Sequence, residues 1–280
     1  MRMTVAIAVL AALCSSATAA RTGQPDLKGP RLYIFDNGTL NVTDPKAFGF
    51  TREELKETRL IVVSYLVVHP KGTLVFDSGV IPDTDFADAK GPIVQGGSSA
   101  SRPLAPQLAA AGYRPSDIEY FALSHYHGDH TANAALFARA TWIVQRAERD
   151  AMFDERTQII GRDHFRALQN ARTKILDNED LDVFGDRTVV IKAAPGHTPG
   201  HQVLFVKLAK TGPVLLAGDL YHYPEERKFN RIPTTEFDAK QTAASRAAVE
   251  EFLKKTHAQL WIQHDLIASA KLKKAPAFYD

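Results

Sequence analysis

Between Ser124 and His130 the chain reads Ser-His-Tyr-His-Gly-Asp-His, placing four metal-ligating side chains, His125, His127, Asp129 and His130, within six residues. Imidazole nitrogens and carboxylate oxygens in such a cluster hold divalent cations, and a cation with an open position turns water into a nucleophile. The run therefore points to metal-dependent hydrolysis. A lone histidine here would more often be a hydrogen-bonded surface or core residue. Three of them with an aspartate, and no apolar periodicity to account for them, need a metal to hold them together. In an extended turn His125, His127 and Asp129 can converge from one side while His130 faces a second position, so one loop can serve two ions.

Something rigid must aim that loop. Residues 118–123 are apolar after Pro115 and predict a short buried strand; residues 131–137 predict a helix, which puts the cluster on a strand-to-helix loop. The other candidate ligands follow the same rule. His197 comes after the apolar run 189–193 through Pro195-Gly196, Asp219 after 214–217 through Gly218, and His264 after 260–262 through Gln263. The ends of strands are where open α/β sheets place their chemistry. Five histidines and two aspartates suit two ions bridged by one carboxylate.

Alternation and turn residues predict further strands at 31–35, 60–68, 73–76, 142–145 and 202–208, with 60–68 and 73–76 forming a hairpin around Pro70-Lys71-Gly72 that Asp77-Ser78-Gly79 closes. Helices are expected at 104–111, 146–153 and 239–255, the last with Ala243, Ala247, Val249, Phe252 and Leu253 toward the core. The last strand is placed at 260–262. Residues 80–103, rich in Gly, Pro and Ser, read as a long loop or an active-site lid, with Ile81, Phe86, Ile93 and Val94 as candidate pocket walls. Strands and helices recur in two runs, before and after about residue 155, which suggests two β/α halves sharing one core with helices outside.

The chain has 280 residues, enough for a sizeable core, and its charges nearly cancel to a net +2. Lys and Arg are scattered, which argues against a nucleic-acid partner, and Lys271-Leu272-Lys273-Lys274 reads as a solvated tail. Arg2, the apolar stretch 5–13 and Ala17-Thr18-Ala19 have the form of a signal peptide over residues 1–20, which predicts a periplasmic or secreted protein with one hydrolase domain at 21–280. The single cysteine, Cys14, falls inside that leader. Leu13 before it does not suit a lipid anchor, so no stable membrane anchor is expected. Metal ligands are then limited to nitrogen and oxygen, a set that suits zinc and, depending on supply, iron, cobalt or manganese.

The set His125, His127, Asp129, His130, His197, Asp219 and His264 resembles the metallo-β-lactamase superfamily and, within it, the N-acyl homoserine lactonases. Ser64-Tyr65-Leu66, Asp77-Ser78-Gly79, Gly112-Tyr113, residues 143–146, the run Pro195-Gly196-His197-Thr198-Pro199-Gly200-His201-Gln202 and His264-Asp265 extend the likeness over nearly the whole chain. The resemblance implies an α/β four-layer αβ/βα sandwich, two mixed sheets face to face with helices outside. It implies two divalent ions, one on His125, His127 and His197, the other on Asp129, His130 and His264, with Asp219 bridging them. A hydroxide shared by ions about 3.5–4 Å apart would attack an ester-type carbonyl, with Asp129 shuttling the proton. The implied substrate is a small lactone or ester, and a homodimer is compatible with the reading.

One departure bears on the substrate. Similar lactonases place a tyrosine three residues after the bridging aspartate to stabilise the oxyanion; this chain has His222 there, flanked by Tyr221 and Tyr223. Either His222 donates that hydrogen bond or a shifted tyrosine does. Of the remaining histidines, His201 is expected to bond a neighbouring loop, and His69, His164 and His257 to lie on the surface. Relatives of the fold that cleave glutathione thioesters normally continue into a helical domain, iron redox enzymes prefer a carboxylate where His127 stands, and β-lactamases usually lack the bridging aspartate. Exported phosphotriesterases are the nearest competing class.

Overall fold

The computed structural model describes residues 27–280. The expected leader, with Cys14, lies outside them. A sheet of nine strands is built from β1 (Arg31–Asn41), β2 (Arg59–His69), β3 (Gly72–Phe76), β4 (Ile93–Gln95), β5 (Ser98–Ala100), β6 (Tyr120–Ala122), β7 (Thr141–Gln145), β8 (Thr173–Leu176) and, from the far end of the chain, β14 (Phe278–Tyr279). A second sheet holds β9 (Leu181–Asp182), β10 (Val189–Ala193), β11 (Gln202–Leu208), β12 (Gly212–Leu216) and β13 (Gln259–Trp261). Both sheets are mixed: β3, β6, β7 and β8 run parallel, as do β12 and β13, and the other pairings are antiparallel.

Side-chain alternation makes the layers. Along β2, Ile61, Val63, Tyr65 and Val67 face the second sheet, while Leu66 and Val68 face outward with Val75, Phe121 and Trp142. The facing sheet presents Ile191, Leu204, Val206, Val214 and Leu216 to the same inner core and turns Val203, Phe205 and Leu215 outward. Strands buried on both faces read as continuous apolar runs, as 60–68 does. Helix α1 (Leu104–Ala110) covers the first sheet through Leu104 and Leu108, and α6 (Ala239–Thr256) covers the second through Val249 and Leu253. Short helices α2 (Gly128–Thr131), α3 (Arg146–Phe153), α4 (Arg162–Phe165), α5 (Pro224–Phe229) and α7 (Leu266–Ser269) complete the chain. The expected four-layer sandwich is the fold observed.

Several details differ from the sequence reading. The first sheet runs to β8, so the halves divide between residues 176 and 181 rather than near 155. The helix expected at 131–137 starts inside the metal-ligand cluster as α2 and breaks at Asn133, whose amide donates to Ser78 O and Ile81 O and so leaves the helical path. Asp77-Ser78-Gly79 does not close the hairpin; Asp77 N bonds Ala122 O and Ser78 N bonds His130 O, carrying the chain toward the cluster. Residues 80–103 are not wholly irregular, since β4 and β5 form a small hairpin on β1. On α6, Ala243 and Ala247 are exposed, while Thr242, Ser245 and Arg246 are buried, because that face covers polar loops as well as the sheet. The strand at 259–261 is not the last: β14 returns to β1, and Leu272 packs on the inner core, so 271–274 is no free tail.

Candidate metal centre

The strands that carry candidate ligands point one way in each sheet. β3 and β6 are parallel, and β10, β12 and β13 share a direction, so the chain segments leaving their C-terminal ends gather on one rim. The two sheets are joined there: Gln202 N donates to Ser124 O and its side chain to Leu123 O, and Gln263 Nε2 donates to Val63 O. Gly218 occupies a left-handed conformation, φ 51°, and a Cβ on it would lie 2.6 Å from His201 Nε2. Only glycine lets Asp219 turn inward at that point.

Two donor groups result, with Asp219 in both: His125, His127, His197 and Asp219, and Asp129, His130, Asp219 and His264. In the first, His127 Nδ1 lies 2.9 Å from His125 Nε2 and 3.0 Å from His197 Nε2, and Asp219 Oδ2 lies 3.5 and 3.4 Å from those two Nε2 atoms. In the second, Asp219 Oδ1 is 3.1 Å from His130 Nε2 and 3.0 Å from His264 Nε2, and Asp129 Oδ2 is 3.3 Å from both. The grouping corrects the local reading of the cluster: Asp129 joins His130, not His125 and His127, because the turn of α2 places it beside its sequence neighbour.

These residues suit a pair of cations. Asp219 Oδ1 is buried and accepts no hydrogen bond among the described residues, although two imidazole nitrogens flank it. Nearly every ring nitrogen that does not face the centre is engaged behind it: His125 Nδ1 by Ser124 Oγ, His130 Nδ1 by Asp77 Oδ2 at 2.9 Å, His197 Nδ1 by Glu236 Oε1 at 3.0 Å, and His264 Nδ1 by Ile61 O at 2.7 Å. Such partners set the tautomer that turns a lone pair toward a metal. Asp77, Glu236, Ser124 and Gln263 were not named as site residues from sequence. Asp77 follows a strand end like the ligands, a signal that was there to use; Glu236 lies in a loop before α6 and only the fold brings it in.

Electrostatically the halves differ. Burial depresses His125 well below the usual imidazole range, His127 to about 4 and His197 to about 3. Burial also opposes charge on His130 and His264, yet the carboxylates of Asp219 and Asp129 prevail, lifting His130 well above its ordinary value and His264 to about 9. Burial would raise Asp129 and Asp219, but the surrounding histidines hold both well below the carboxylate range. A field that keeps protons on buried imidazoles would hold divalent cations in their place.

His222 stands at the edge, its Nε2 3.2 Å from Asp219 Oδ2 and its Nδ1 3.2 Å from Glu226 Oε1. Burial opposes its charge, but these two carboxylates lift it to about 10. Tyr221 and Tyr223 point elsewhere, the first hydroxyl donating to Glu250 and the second to Thr58 O at 2.7 Å. His201, as expected, bonds a loop: its Nδ1 pairs with Ala194 O and its Nε2 accepts from Asp219 N at 3.0 Å. His257 is exposed and His164 half-buried, but His69 is buried, stacked on Phe184 and paired with Asp186 at 2.9 Å. A cavity of about 820 Å³ opens beside His127 and Asp129, walled by Leu40, Val80, Tyr126, Ile159 and Ile160. The expected wall residues Ile81, Phe86, Ile93 and Val94 do not line it; the turn at Gln95, Gly96 and Ser98 does.

Comparison with known proteins agrees with this geometry. The profile of the metallo-beta-lactamase superfamily matches residues 58–264. The N-acyl homoserine lactonase AttM of Azorhizobium caulinodans is 30% identical over 89% of this chain and 98% of its own. A crystal structure of a quorum-quenching N-acyl homoserine lactone lactonase superposes with a TM-score of 0.75 at 25% identity, covering 91% of this chain and 100% of the other. An N-acyl homoserine lactone hydrolase with N-hexanoyl-L-homoserine at its catalytic metal centre gives 0.73 at 25% identity, over 90% and 100%. This protein belongs to the metallo-beta-lactamase superfamily, in the family of its N-acyl homoserine lactonase relatives.

Proposed function

We propose that this protein hydrolyses the lactone ring of N-acyl homoserine lactones at a centre of two divalent cations, zinc being the metal its nitrogen and oxygen donors suit. The observation that carries the reading is the sharing of one buried carboxylate, Asp219, by two complete donor groups. His125, His127 and His197 would hold one ion, Asp129, His130 and His264 the other. When bound, such a pair supplies Lewis acidity, acidifying water and polarising an ester carbonyl.

The chain's own groups supply the rest. Asp129 is the ligand carboxylate that faces the cavity, its side chain 15% exposed, which supports a role in carrying the proton from attacking water to the leaving alkoxide. His222 supports the developing oxyanion: it is the one candidate of the three whose polar atom faces Asp219, and with Nδ1 engaged by Glu226 its Nε2 is the nitrogen turned to the centre. Tyr221 and Tyr223 hold loops in place. The apolar cavity walls suit an acyl chain. The leader-like composition of residues 1–20 supports export to the periplasm or beyond.

A substrate panel tests the assignment: acyl homoserine lactones of several chain lengths, a β-lactam, an organophosphate triester and a thioester, on metal-replete and chelated protein. Lactone turnover lost on chelation is expected. Turnover of the triester or thioester with no lactone opened would overturn the assignment.

A further inference from the structure

Glu148 is 1% exposed, in the first turn of α3, and belongs to neither donor group. Its carboxylate accepts three hydrogen bonds. Oε1 takes Tyr126 N at 2.8 Å; Oε2 takes Thr198 Oγ at 2.7 Å and Gly200 N at 2.8 Å. Tyr126 stands between His125 and His127, and Thr198 follows His197. One side chain thus joins the two loops that carry the histidines of the first donor group, one leaving each sheet. The approach is close: a Cβ on Gly200 would sit 2.5 Å from Glu148 N, so the second loop reaches the carboxylate only as glycine. Burial pushes the Glu148 carboxyl up to about 7, against the pull of its three donors.

The second donor group is supported through a different carboxylate. Asp77, fully buried and held at φ 62°, accepts from Ser124 N, Ser124 Oγ and Gln263 Nε2 and pairs with His130 Nδ1. Its contacts bring together Ser124, His130 and Gln263, beside His264; the network meets the first half only where Ser124 Oγ reaches His125 Nδ1, and Glu148 bonds none of Asp77, Ser124, His130, Gln263 or His264.

We propose that Glu148 is the positioning residue of the His125–His127–His197 half, tying its two loops together so that three imidazoles from different sheets present their lone pairs at one point. The inference rests on the reading that this half holds a cation. Loop amides anchored on one carboxylate spare the cation the cost of ordering its own ligands, and loss of such supporting bonds typically weakens metal affinity about 10- to 100-fold.

Cobalt(II) titration followed by its visible absorption tests this on full-length protein. His264→Ala leaves the first half as the intact donor group, and His197→Ala leaves the second. Adding Glu148→Gln, whose amide can no longer accept at both positions, is expected to weaken cobalt binding about 10- to 100-fold in the His264→Ala protein and less than about threefold in the His197→Ala protein. Thr198→Val, which removes one of the three bonds and keeps the carboxylate, is expected to give a smaller loss in the same half, and decides the matter should Glu148→Gln fail to fold. Equal weakening of both halves, as general loosening would produce, overturns the proposal, as does unchanged affinity in the first. Failure of otherwise unaltered protein to take up two equivalents would instead sink the metal-centre reading itself.

Discussion

At the scale of single residues, function turns on which polar atoms are left facing the centre. His222 is held from behind by Glu226, which Arg246 binds at 2.5 Å, and Arg246 is in turn anchored on Leu220 O and Arg231 O. That chain of contacts keeps the ring from turning away. His222→Ala is expected to lower lactone turnover by ~10²-fold while two metal equivalents remain bound, measured by steady-state kinetics beside metal analysis. Tyr223→Phe, removing a hydroxyl already committed to Thr58 O, should leave turnover within about threefold. A comparable loss in Tyr223→Phe would move the oxyanion role to the tyrosine. The ligands themselves were legible because each follows an apolar strand within a few residues. Glu148 and Glu236 were not, since nothing local marks a buried carboxylate whose partners lie 22 and 39 residues away; Asp77 carried the strand-end signal, but its partner Ser124 lies 47 residues on.

At the scale of elements, strands that are buried on both faces announce themselves as apolar runs, and β2 and β11 are found within a residue of where the pattern puts them, as is the less buried β10. Short helices with one buried residue, such as α4, carry too little periodicity to read. α6 shows a different failure: its buried stripe includes Thr242, Ser245 and Arg246, polar residues that bond Glu236, Pro195 O and Glu226. Arg246→Met should cost roughly 3–5 kcal/mol in chemical denaturation, because it leaves Glu226 buried without its partner. The end of β2 gives a pH prediction. Burial lowers His69 below the ordinary imidazole value despite Asp186, so the folded state prefers the neutral ring. Its contribution is complete above about 6.5, the unfolded value, and lost as pH falls below it. His69→Asn should flatten the decline in stability between about pH 6.5 and 5; an unchanged slope would remove His69 as its source.

At the scale of the molecule, two sheets meet at a rim where their sewn edges hold a buried cluster of histidines and aspartates around a common carboxylate. Converging donors without cations repel or trap protons, so metal should stabilise the whole fold. Zinc at a hundredfold excess over Kd is expected to add about 2.7 kcal/mol per site, read as a rise in Tm that chelation reverses. The two-halves architecture could be read from the recurrence of strands and helices, though not where it divides, because β8, a short strand beyond residue 155, pairs with β7 of the first half. The cavity walls were misplaced for a similar reason: the segment at 158–161 that lines the cavity lies far along the chain from the loop at 80–103. The most direct measurement is product analysis by mass spectrometry as metal-free protein receives zinc in steps with an acyl homoserine lactone present. The predicted result is ring-opened acyl homoserine, one water heavier than substrate, formed at a rate that rises until two equivalents are bound. Free fatty acid with an intact homoserine lactone, or lactone consumption indifferent to metal, would contradict it.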